Sequence, residues 1–115
     1  MKILVYDPYA TDEAIHAVDA TKTDLDTLLS RADFISLHVP LTDETHHIIG
    51  SEQLRRMKQT AIIVNTARGE LIDERALHRA LLDGQIAGAG LDVFEQEPPP
   101  RTSCAYSAER SPTYW

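Results

Sequence analysis

The sequence holds a single cysteine, Cys104, so it contains no intrachain disulfide and fits a reducing compartment. No run approaches the roughly 18 consecutive apolar residues of a membrane-spanning helix. The opening Met1-Lys2-Ile3-Leu4-Val5-Tyr6-Asp7 lacks a signal peptide's apolar core. Cytoplasm is therefore the expected location, without membrane contact. Cations are scarce: 11 Lys and Arg stand against 18 Asp and Glu, and a net charge of -7 disfavours nucleic acid as a partner. Arg55, Arg56 and Lys58 form the one basic cluster, at an expected helix end whose dipole favours them. The five histidines, His16, His38, His46, His47 and His78, form no pair on one helical face with a partner acid, so no metal site is expected. Cys104 has no neighbouring base, which argues against a nucleophile.

What is present is ordinary for a globular domain: 115 residues, 43% apolar and 25% charged, enough for one core. Short apolar runs alternate with helical stretches, the pattern of an α/β fold. Strands are predicted over 2–6, 34–39, 61–64 and 86–91, with a further brief one at 16–19. Helices are predicted over 11–17, from an N-cap at Thr23, from a cap at Ser51, and from a cap at Asp73. Leu25, Leu28 and Leu29 share one helical face, as do Leu54 and Met57. In the last helix Ala76 and Ala80, and Leu77 and Leu81, repeat at four-residue spacing, and Gly84 is a natural stop. Gly88 and Gly90 in the strand after it allow close approach of backbone or ligand.

The stretch 61–98 carries the chemistry. An apolar run, Ala61-Ile62-Ile63-Val64, stops at Asn65-Thr66-Ala67-Arg68-Gly69, and a second ends in Leu91-Asp92-Val93-Phe94 with Glu97 just before a proline. In an open α/β sheet ligands bind outside the carboxyl ends of the strands. Arg68 stands just past one such end; Asp92 and Glu97 stand at and beyond another. An arginine beside a carboxylate can hold a small oxidisable acid and tune its proton donor.

These two motifs, with Val5-Tyr6-Asp7-Pro8-Tyr9 and the run from Ala32 to Thr42, resemble the NAD-binding domain of the D-isomer-specific 2-hydroxyacid dehydrogenases. That family includes phosphoglycerate dehydrogenase, hydroxypyruvate and glyoxylate reductases, and the C-terminal-binding-protein corepressors. The resemblance implies a doubly wound parallel sheet of strand order 3-2-1-4-5-6, with NAD as cofactor and a 2-hydroxy or 2-keto acid as substrate. It also implies a homodimer in the intact protein. By the same resemblance Asp7 accepts from the adenosine ribose hydroxyls, favouring NAD over NADP, and Val39 and Pro40 wall the adenine. Thr66 and Ala67 meet the cofactor through their backbone, and Asp92 meets the carboxamide side of the nicotinamide. Arg68 orients the substrate with its planar fork. Glu97 is the family's catalytic glutamate, which raises the pKa of a catalytic histidine so that it can donate a proton.

The chain departs from the family at both ends of the resemblance. A dinucleotide fold opens with a strand and G-x-G-x-x-G, with an acid about 20 residues further on. Asp7 fits that acid, yet no glycine loop precedes it, so the chain is expected to be a partial Rossmann-type domain starting at the second strand. Without the amides that cradle the pyrophosphate, this polypeptide alone is expected to bind NAD weakly. The partial domain is assigned to residues 1–100. Beyond Pro98-Pro99-Pro100, residues 101–115 show neither period and lack the family's proline-histidine pair, and a disordered tail is expected. An NAD-sensing corepressor remains an alternative, from Tyr6-Asp7-Pro8-Tyr9 and Thr45-His46-His47-Ile48-Ile49, and so does a non-functional truncated reading frame.

Overall fold

The computed structural model describes residues 1–95; Glu97 and the 101–115 segment lie outside the described residues. Strands β1 (Ile3–Val5) and β2 (Ala20–Lys22) pair in parallel, joined through helix α1 (Asp12–His16). Helix α2 (Leu25–Arg31) leads into β3 (Phe34–Leu37), α3 (Ser51–Arg56) into β4 (Ile62–Asn65), and α4 (Glu74–Leu82) into β5 (Gly88–Leu91). The last three strands form a parallel sheet in the order β3-β4-β5. Every strand is therefore parallel to its neighbour, and each one after β1 is reached through a helix, as βαβ units require. The split into a two-stranded and a three-stranded sheet is what the expected strand order leaves when its central strand is not among the described pairs.

The main core lies around the three-stranded sheet. Ile35, Ile63 and Ala89 from the strands meet Leu29, Leu54 and Leu77 from the three helices, all buried. Ala76 and Leu81 pack against this cluster beside Leu77 and Ala80, so the four-residue repeat read in the sequence is the buried face of α4. Ile15 and Ala20 are buried as well but stand apart from the cluster. The basic residues after α3 do more than face a dipole. Arg56 pairs with Asp26 and Lys58 with Asp33 at 3.0 Å, tying the end of α3 to α2 and to the start of β3.

Three local expectations are corrected. Asp24, not Thr23, caps α2, accepting from the Thr27 amide at 2.7 Å. The Thr23 amide is already taken by the Val5 carbonyl at 2.9 Å, which carries the sheet ladder one residue past β2. Bonds from the Thr27 amide and then its hydroxyl hold the Asp24 carboxyl below the usual range. Gly50, not Ser51, is the N-cap of α3, its amide donating to Gln53 Oε1 at 3.0 Å. The brief strand expected over 16–19 is instead the unwinding end of α1. Ala17, Val18 and Asp19 still donate backward to Glu13, Ile15 and His16, and Asp19 ends the turn in the left-handed region at φ 57 before β2 begins.

Four ladder edges have no partner among the described residues, the outer edges of β1, β2, β3 and β5; the expected central strand would lie against two of them, those of β1 and β3. Their first residues, Ile3 and Phe34, are 43% and 73% exposed. Unpaired edges beside bare apolar side chains favour association, and a two-stranded pair is marginal on its own. Residues 1–23 should therefore open before the rest, and the isolated chain should self-associate. In native-state hydrogen exchange the Ile3–Val5 amides should exchange at least about tenfold faster than those of Ile62–Asn65. Equal protection across both sheets in a monomeric sample would defeat this expectation.

Candidate functional site

Parallel register brings the carboxyl ends of β3, β4 and β5 to one edge: Leu37 lies opposite Asn65, and Asn65 opposite Leu91. The segments leaving these ends hold most of the residues singled out in the sequence. Val39 and Pro40 come after β3, Thr66, Ala67 and Arg68 after β4, and Asp92 after β5. Asp7 comes after β1 in the smaller sheet. Glu97 lies outside the described residues.

The segment after β4 is fixed by Asn65, whose role the sequence did not suggest. Its side chain is 1% exposed; Oδ1 accepts from the Ala67 amide at 3.1 Å and Nδ2 donates to the Arg68 carbonyl at 2.8 Å. Its own carbonyl accepts from the Asp92 amide at 3.1 Å. One residue thus folds the Thr66–Arg68 turn and joins it to the exit of β5. Asparagine suits such local backbone bonding because its amide both donates and accepts. Arg68 itself is exposed, and no described group engages its guanidinium. Ala67 packs against the core.

Gly69 is buried in a tight crossing. A Cβ there would overlap the Phe94 carbonyl and the Glu95 nitrogen, so the loops after β4 and β5 touch backbone to backbone. From the other side the Glu95 amide donates to Glu74 Oε1 at 2.8 Å, and the Glu95 carboxylate contacts His47. Glu74 opens α4 directly after the cap Asp73, whose Oδ1 accepts from Arg75 and Ala76. Burial raises the Glu74 carboxyl above its ordinary value of 4.5, opposed by the Glu95 amide and reinforced by the Glu95 and Glu70 carboxylates. His47 sits in the left-handed region at φ 51, its amide bonded to the Glu70 carbonyl at 2.8 Å.

At β1, Asp7 Oδ1 accepts from the Tyr9 and Ala10 amides at 2.9 and 3.2 Å, so this carboxylate does close a turn. No described group engages Oδ2. An open cleft of about 600 Å³ lies beside it, lined by Tyr6, Asp7, Pro8, Lys22 and Thr23 among others, and does not extend to Arg68. Val39 packs against the core, while Pro40 is exposed and its carbonyl accepts from Thr45 Oγ1 at 2.7 Å. Among the described residues no group of three His, Cys, Asp or Glu could hold a metal ion.

These contacts set two measurable expectations. Asn65→Ala strands the Ala67 amide and the Arg68 carbonyl, so it should cost about 1–3 kcal/mol in denaturant unfolding. A cost near zero would deny Asn65 its clamping role. Glu74 has its folded pKa raised, so its contribution to stability is full below 4.5 and is lost as pH rises through the raised value. The unfolding free energy of the wild type should thus fall relative to Glu74→Gln across that window and level off above it. A difference that stays flat with pH would contradict the burial effect.

Comparison with known proteins agrees with this architecture. Residues 1–111 match the family model described as "D-isomer specific 2-hydroxyacid dehydrogenase, NAD binding domain". Glyoxylate reductase of Korarchaeum cryptofilum is 57% identical over 100 residues, covering 87% of this chain and 30% of that protein. D-3-phosphoglycerate dehydrogenase of Methanocaldococcus jannaschii is 56% identical over 100 residues, 86% of this chain and 19% of that protein. The D-lactate dehydrogenase of Lactobacillus jensenii, solved with NAD+, superposes with a TM-score of 0.88 at 37% identity, over 98% of this chain and 36% of the other. The chain thus spans about a third or less of the length of these relatives. A parallel sheet whose exit loops carry this arginine turn, matched along nearly its whole length by the family model, places the chain in the D-isomer-specific 2-hydroxyacid dehydrogenase family, as part of its NAD-binding domain.

Proposed function

We propose that this chain is the part of an NAD-dependent D-2-hydroxyacid dehydrogenase that holds the cofactor and orients the substrate. The observation that carries the reading is Arg68: an exposed guanidinium without a described partner, on a turn that Asn65 and Gly69 fix beside the exit of β5. The residues present fit a dinucleotide laid across the strand ends. Asp7 keeps one carboxylate oxygen for the ribose hydroxyls, and a negative charge there repels a 2′-phosphate, so NAD is the fitting cofactor. Val39 and Pro40 offer an apolar wall for the adenine. The Thr66–Ala67 backbone and Asp92 stand where the nicotinamide end would lie.

When bound, the cofactor would supply the hydride donor for a 2-keto acid in its reduced form, or the hydride acceptor for a 2-hydroxy acid in its oxidised form. The protein positions and polarises the substrate. The Arg68 fork grips the substrate carboxylate and keto oxygen with two parallel charge-assisted bonds, which a lysine cannot reproduce. Glu97 raises the basicity of a histidine that takes or gives the substrate hydroxyl proton. The substrate class is a small 2-hydroxy or 2-keto acid, and the whole enzyme is a homodimer working in the cytoplasm.

The test is a chimaera in which residues 1–100 replace the matching segment of the Korarchaeum cryptofilum glyoxylate reductase, assayed with glyoxylate and NADH. The chimaera should be active. Arg68→Lys should lower kcat/KM by roughly ten- to a hundredfold, the worth of a charged bidentate contact. Glu97→Gln should shift the acid–base limbs of the pH profile. Wild-type kinetics in both variants at every pH would defeat the assignment.

A further inference from the structure

A carboxylate that grips a ribose must be held in one orientation, and for Asp7 that orientation comes from Oδ1. The Tyr9 and Ala10 amides donate to it at 2.9 and 3.2 Å, so Oδ2 is oriented only as firmly as this turn. The turn by itself is a poor anchor. It lies between β1 and α1, outside both, and Tyr9 is exposed. Turn bonds near the surface open readily. Ala10, however, is held from its other side as well. Its carbonyl accepts from Lys22 Nζ at 2.8 Å, so the peptide groups on both sides of the Ala10 Cα are bonded. Lys22 ends β2 and lies opposite Val5, two residues before Asp7. The lysine thus spans from the neighbouring strand end to the turn, beside the open cleft that both Asp7 and Lys22 line.

A lysine on a strand with an open edge is often only a solvated guard against edge pairing. Lys22 differs, since its side chain is 35% exposed and its ammonium is directed to a carbonyl. Nor is its main partner the Asp12 carboxylate, which stands 3.7 Å away and is more exposed still, a pair worth little. We infer that Lys22 is a positioning residue of the cofactor site: its ammonium holds the Ala10 carbonyl, keeps the Tyr9 and Ala10 amides on Asp7, and so fixes that carboxylate for the ribose. The inference rests on Asp7 having its proposed role toward the ribose hydroxyls. Lys22 acts through the turn it holds, and its loss therefore weakens cofactor binding while leaving the hydride-transfer step as it was.

Three readouts in the chimaera separate this role from a general structural one. Without cofactor, hydrogen exchange at the Ala10 amide should be at least about fivefold faster in Lys22→Met, while Lys22→Arg, which keeps a donor, should retain most of the protection. In fluorescence titration the Kd for NADH should rise about three- to tenfold in Lys22→Met, with kcat at saturating NADH changed less than about twofold. Lys22→Arg should restore most of that affinity. In an Asp7→Ala background Lys22→Met should cost far less NADH affinity than in the wild type, because the residue through which it acts is gone. Unchanged exchange at Ala10 or unchanged NADH affinity in Lys22→Met overturns the inference. An equal loss of affinity with and without Asp7 overturns it too, since Lys22 would then act on its own. If Asp7→Ala leaves NADH affinity as in the wild type, the proposed role of Asp7 fails and the inference falls with it. A loss in Asp7→Ala beside none in Lys22→Met overturns the inference alone.

Discussion

The amide of Asn65 is the contact on which the rest of the site edge depends. It is buried, so its donor and acceptor must both be satisfied, and they are satisfied only if the next three residues turn in one way. That turn brings the Arg68 backbone round, and the carbonyl of Asn65 receives the Asp92 amide from the neighbouring strand end. A polar group placed in a dry environment thus does what an apolar one could not: it makes a single loop shape much lower in energy than its rivals. The parallel register then ensures that this shape sits level with the ends of β3 and β5.

Around that edge the chain divides its labour unevenly. The apolar cluster belongs to the segment from α2 to β5, and it fixes β4, the strand that carries Asn65. The β1–α1–β2 unit has its own small buried pair, Ile15 and Ala20, and side-chain links such as Lys22 Nζ to the Ala10 carbonyl at 2.8 Å. Its tie to the larger sheet includes the exposed bond of Tyr9 to Glu44 at 3.3 Å, a weak contact. The adenosine-facing acid, Asp7, therefore rides on the less secured part of the fold, and the substrate-facing arginine on the more secured part.

The fold class and the strands β1, β3, β4 and β5 were legible because βαβ alternation leaves a repeated signature, and Asp73, Gly84 and the α4 stripe behaved as their chemistry demands. The short β2 was not, since Ala20–Lys22 carries too little apolar pattern to stand out from the end of α1. Element ends were less legible where two adequate groups competed. Thr23 and Asp24 can both cap a helix; the sheet ladder claimed the Thr23 amide, a long-range choice that local pattern does not contain. The positions of Asp7, Arg68 and Asp92 at strand ends could be read directly, since apolar runs stop there. Asn65, Glu74 and His47 could not, for different reasons. Asn65 looks like any turn former, Glu74 like an acid favouring a helix start, and His47 like one of two adjacent histidines, whose stacking at 4.1 Å only the structure reveals. Their contacts cross from one exit loop to another, and sequence separation hides such meetings.

The backbone contact at Gly69 carries a consequence for anyone seeking to recombine members of this family. Because the loops after β4 and β5 interlock with no side chain between them, neither can be exchanged alone without the other refusing the fit. The arginine turn, the opening of α4 and the stretch through Glu95 form one transplantable block. Breakpoints placed within that block would separate surfaces shaped against each other, whereas a breakpoint in the exposed turn before β4 would leave them together.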